Sequence, residues 1–161
     1  MPAQALEKLR KEVEKAAEGL LFLSETDARV VFVAAPEARV EEVTPEEVVT
    51  WLSAQHDGRT DVFLGGEPLP VLAEKAVEVK SARDFLRNRE ESVDREDPES
   101  MEAARKWSRI RQALERHLQE LRVIRFGEPH YDTVDGQISV FVVGRTEEGA
   151  LAGILTGSVE T

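Results

Sequence analysis

The stretch from 97 to 159 constrains the fold more than any other. Asp97-Pro98-Glu99 starts the longest helix of the chain. Its apolar stripe is Met101, Ala104, Trp107, Ile110, Leu114, Leu118 and Leu121, a 3.6-residue pattern. Residues 121–126 then alternate as a strand does. Asp135-Gly136 reads as a hairpin turn before a second strand at 137–143. Glu147-Glu148-Gly149 marks another turn, and 150–159 forms a third strand. A long helix followed by an antiparallel meander, with further helices before it, points to the α+β class.

The N-terminal part fits that class. Leu6, Leu9, Val13 and Ala17 form one face of a helix over 3–18, and Gly19 suits the left-handed residue that closes it. Residues 20–23 are apolar until Ser24-Glu25-Thr26-Asp27 makes a polar turn. The β-branched and aromatic run at 29–35 is a strand that Pro36 ends. Thr44-Pro45-Glu46-Glu47 starts a helix to about 53, with Thr44 as cap and Glu47 completing a capping box. Residues 54–70 are rich in turn signals, with a short strand over 62–64. Ser81 caps a short helix that runs to about Arg89 and buries Phe85 and Leu86. The densely charged run 88–99 reads as a surface linker inside one domain spanning 1–161.

Composition decides which classes of function to set aside. The chain has no cysteine, so disulfides, thiolate metal sites and cysteine nucleophiles are out. It has no apolar run near the roughly 18 residues a membrane span needs. The acidic, amphipathic N-terminus does not read as a secretory signal, and the expectation is a cytoplasmic protein. With 32 acidic against 21 basic residues the net charge is −11, which disfavours direct nucleic-acid binding. Such a surface serves solubility, or it draws in a basic partner and speeds the encounter.

The usual catalytic signatures are missing. His56, His117 and His130 have no metal-ligand spacing, and His117 reads as a rim residue on its helix. There is no phosphate loop, no dinucleotide fingerprint and no Gly-x-Ser-x-Gly. The acidic runs 37–47 and 90–102 lack the ligand pattern of a calcium loop. The chain therefore reads as a non-enzyme with no cofactor and no metal of its own. Taken alone, Glu25 caps a turn or faces water.

Two segments remain. Gly19-Leu-Leu-Phe-Leu-Ser-Glu25 breaks abruptly from apolar to polar. The final residues, Gly149-Ala-Leu-Ala-Gly-Ile-Leu-Thr-Gly-Ser-Val-Glu160-Thr161, read as a buried strand reaching the end of the sequence, which would fix the Thr161 carboxylate in space. Together with the helix before Gly19, these segments resemble the nuclease A inhibitor family over 6–34 and 121–161, and only weakly over 54–100. The loop 129–136 looks longer than is usual in that family. The resemblance implies a three-layer α/β/α sandwich around a central mixed, largely antiparallel sheet. It also implies a protein that blocks a magnesium-dependent, sugar-non-specific endonuclease by stoichiometric binding, its acidic groups mimicking DNA phosphate. By the same resemblance Glu25 and Thr161 approach the nuclease's magnesium, with Ser24, Thr26 and Glu160 at the rim. The alternative is a non-catalytic interaction module of the same fold whose partner is not a nuclease.

Overall fold

The computed structural model describes residues 2–22, 28–53, 59–60, 69–70, 76–91, 95–127 and 137–159. In chain order the elements are α1 (Pro2–Ala17), β1 (Leu21–Phe22), β2 (Ala28–Arg29), β3 (Val31–Ala35) and α2 (Pro45–Trp51). There follow β4 (Arg59–Thr60), β5 (Leu69–Pro70), β6 (Ala76–Ser81), α3 (Ala82–Glu91), α4 (Pro98–His117), β7 (Gln119–Gly127), β8 (Gln137–Arg145) and β9 (Leu151–Val159).

Five of these strands make the main sheet, in the order β3-β9-β8-β7-β6, and each pairing within it is antiparallel. The β7–β8–β9 meander supplies its centre. The last strand sits between β8 and β3, so it is paired along both edges over 151–155. Pairs β1–β2 and β4–β5 stand apart as small antiparallel ladders. The single strand expected over 29–35 is thus split at Val30: Arg29 pairs with Leu21, whereas Val31 pairs with Leu155.

Strand alternation sends successive side chains to opposite faces, and each face is covered. On one face Val123, Val140, Val142, Ala152 and Ile154 meet Leu9 and Val13 of α1, Leu86 of α3, and Trp107, Ile110 and Leu114 of α4. On the other, Ile124, Phe126, Phe141, Val143, Leu151 and Leu155 meet Val48 of α2, Leu52, and the buried Ala38, Val40 and Val43 that precede it. Phe126 and Phe141 pack edge to face with centroids 5.7 Å apart. The result is the α/β/α layering expected for the family, with three helices on one face and α2 on the other. Burial of each large apolar side chain stabilises the fold by roughly 1.5–3 kcal/mol.

Local signals account for most element ends. Gly19 closes α1 at φ 73. The Thr44 hydroxyl accepts from Glu47 N at 3.2 Å, and Asp97 accepts from Glu99 N at 3.0 Å. The reciprocal half of the expected box at Thr44 gives way to a different bond. The Glu47 carboxylate instead accepts from the Trp51 indole one turn on, at 2.9 Å.

Two helices end elsewhere than expected. α4 stops at His117, so Leu118 and Leu121 are buried or half-buried from outside the helix. The chain turns from helix to strand at Leu118, and the register of β7 breaks just beyond it at Glu120, a non-glycine residue at φ 55. Its carboxylate accepts from Val43 N at 2.6 Å and lies 3.6–3.7 Å from Arg122 and Arg145, which offsets the strain of that backbone. α3 continues to Glu91, because Arg111 of α4 holds Glu90 through two bonds of 2.9 and 3.0 Å.

Candidate functional site

The segment 23–27, whose residues predict a polar turn, lies in sequence between β1 and β2. The route into it is fixed by local chemistry. Gly19 turns the chain out of α1, Leu20 N donates to Ala17 O at 2.9 Å, and Leu20 is buried. β1 then pairs antiparallel with β2, Phe22 opposite Ala28. Ala28 and Val30 anchor the return path by burying on opposite faces of the sheet.

The end of β9 lies beside that path. β9 and β3 pair up to Val31 opposite Leu155. One residue further, the buried Thr156 hydroxyl donates to Arg29 O at 2.8 Å. β9 then continues along β8 until Val159 pairs with Gln137. Three residue steps along the strand lead from Thr156 to Val159, about 10 Å of extended chain. The Phe22–Ala28 stem and the end of β9 therefore share one end of the sheet. Nothing in the sequence singles out Thr156 for this bond, because a threonine in a strand has no periodic signal of its partner.

Loss of that bond should be measurable. A Thr156→Val variant takes this donor away from Arg29 O in a part-buried setting. The expected cost is about 1–2 kcal/mol in urea unfolding. Hydrogen exchange should quicken at the β1–β2 stem more than in β7. Unchanged exchange at the stem would show that the bond does not hold it.

Two helix ends reach the same end of the molecule. α1 delivers its C-terminus there, and α4 runs antiparallel to α1: the Lys106 ammonium donates to Glu18 O, while Arg116 lies 3.5 Å from Glu12. Lys106 also meets the negative end of the α1 dipole. The N-terminal turn of α4 thus lies towards the end where α1 stops.

Ser24, Glu25, Thr26, Glu160 and Thr161 lie outside the described residues. So do His56, His130, the strand expected over 62–64 and the turn at 135–136. What the structure brings together is their described neighbours, Phe22 and Ala28 on one side and Val159 on the other.

His117 departs from the rim position expected for it. Its side chain is 16% exposed, wedged between α4 and α1, with Nε2 3.7 Å from Glu12 Oε2. Neither atom has a hydrogen-bond partner among the described residues. Among the described residues no three His, Asp or Glu side chains gather as a metal site, and no helix is long and apolar enough to cross a membrane.

An α/β/α sandwich with an antiparallel meander and a β1–β2 ladder beside its last strand defines the class of protein. The family model described as nuclease A inhibitor-like protein matches residues 7–161, and the chain belongs to that family. The match runs through 54–100, where the resemblance in the residues is weakest. A search of curated proteins returned no match.

Proposed function

We propose that the protein inhibits a magnesium-dependent, sugar-non-specific endonuclease by occupying its active site, one inhibitor per nuclease. The carrying observation is the shared end of the sheet, where the stem of 23–27 stands beside the end of β9 with Thr156 bonded to Arg29. Family membership supplies the partner class.

In this reading Glu25 and the Thr161 carboxylate take the places of DNA phosphate oxygens. Magnesium is a hard cation that accepts carboxylate oxygens and keeps several waters. Two carboxylates carried by chain segments that are firmly held a few residues away lose little entropy on binding. Ser24, Thr26 and Glu160 add hydrogen bonds at the rim. The net charge of −11 steers the molecule towards a positive DNA-binding cleft. The protein acts by binding, not by turnover, and its own residues hold no metal.

Titration of a magnesium-dependent non-specific endonuclease with the purified protein tests this. Activity on both DNA and RNA should fall linearly to an end point at one equivalent. Full activity at a large molar excess, across several such nucleases, would remove the reading and favour an interaction module with another partner.

A further inference from the structure

A cavity of about 380 Å³ opens at the other end of the sheet, between the start of α3, the C-terminal part of α4 and the paired ends of β6 and β7. The half-buried Leu121 gives it an apolar wall, with the fully buried Leu86 beneath. Three guanidiniums line it: Arg83 and Arg87 from α3, and Arg111 from α4.

The three differ in how far their charge is already answered. Arg111 is bound by Glu90 at 2.9 and 3.0 Å and by Glu115 at 3.1 Å. The Glu90 hydrogen bond is the chief cause that holds it more firmly protonated than an ordinary arginine; burial opposes this, and the attraction of both carboxylates adds to it. Its charge is spent on those two partners, and Glu115 reaches the cavity already engaged. Arg83 and Arg87 are exposed and have no ion pair among the described residues. They are one turn apart on the same helix, where like charges repel. In a chain with eleven surplus negative charges, such a pair stands out. The positive N-terminal end of α3, whose first turn is capped by Ser81 through Arg83 N at 3.4 Å, adds to the field.

We propose that this cavity binds a phosphate monoester whose organic part is apolar or aromatic. Guanidiniums bind phosphate through paired, charge-assisted hydrogen bonds, which Arg83 and Arg87 supply from one side. Leu121 and the aliphatic stems of the arginines receive the organic part. The volume falls within the roughly 300–1,000 Å³ of small-molecule sites. The proposal does not rest on the nuclease reading, since the cavity lies away from the β1–β2 stem.

The test is an amide NMR titration of the full chain with AMP, inorganic phosphate and adenosine in parallel. AMP should give saturable shifts centred on 81–87 and 111. Phosphate should bind at least several-fold more weakly, and adenosine should show no saturation in the same range. The R83Q/R87Q double variant should lose AMP affinity by about tenfold or more, the scale of one charge-assisted hydrogen bond. Its melting temperature should hold or rise, because a repulsive pair is gone; should it misfold, Arg87→Gln alone serves with the same expectation. AMP shifts that do not saturate, that centre elsewhere, or that survive in the variant would overturn the proposal. Equal binding of phosphate or of adenosine would overturn the ligand class.

Discussion

A Gly153→Ala variant should lose about 3 kcal/mol or more of stability, at or beyond the upper end of what overpacking usually costs. Gly153 sits in β9 between β3 and β8, opposite Val33 on one side and Val143 on the other. A methyl group built there would lie 2.0 Å from Val142 O and 2.7 Å from the Val143 Cα. Both are backbone atoms of a paired strand, so no side-chain rotation relieves the collision. The β8–β9 ladder must part or the sheet must shift, and the neighbouring Val33, Val142 and Val143 are buried. Urea denaturation reads the loss directly. A midpoint close to that of the parent would mean that β8 and β9 can separate without cost, and that β9 is not the rigid centre of the sheet. Because β9 also leads to Glu160 and Thr161, the variant should bind a nuclease more weakly in proportion to its unfolded fraction.

The second large effect concerns binding alone. Glu25→Ala should weaken inhibition about a hundredfold, the scale of a central interface residue, with the melting temperature nearly unchanged. Glu25→Gln, which keeps the shape and removes the charge, should lose nearly as much if the carboxylate faces a metal. A few residues appended after Thr161 should do comparable damage, since they move the terminal carboxylate away. The contrast with Thr156→Val is informative: that change loosens the stem and should lower stability and affinity together, whereas Glu25→Ala should separate them. Glu25→Gln with full inhibitory strength would leave charge out of the mechanism.

Where the fold was legible in the sequence, the signal was local. Gly19, Thr44 and Asp97 each act within one turn of their own position, and each ends or begins a helix where read. The Glu147–Gly149 turn is equally self-contained, with Gly149 at φ 95 and its N–H bonded to Thr146 O. Misreadings arose where a distant element decides. Leu118 and Leu121 continue the periodicity of α4 because both face the same core, but Leu118 is its cap and Leu121 already belongs to β7. Glu90 looked like part of a solvated run, yet Arg111, twenty-one residues on, draws it against α4. His117 looked peripheral until α1 packs over it. The break at Val30 is invisible in a uniformly apolar run, because it follows from which strand each half pairs with. Of the candidate site, the sequence supplied the residue types, and the fold supplies the adjacency of β2 and β9 that no spacing could reveal.

The central claim is that 23–27 and the end of the chain approach one metal centre together. The most direct measurement replaces the nuclease's magnesium with manganese and follows paramagnetic broadening of the inhibitor's amide resonances in the complex. The strongest broadening should fall on both 24–26 and 160–161, with 147–149, at the far end of the sheet, untouched. Broadening of only one of the two segments, or centred at 147–149, would contradict it.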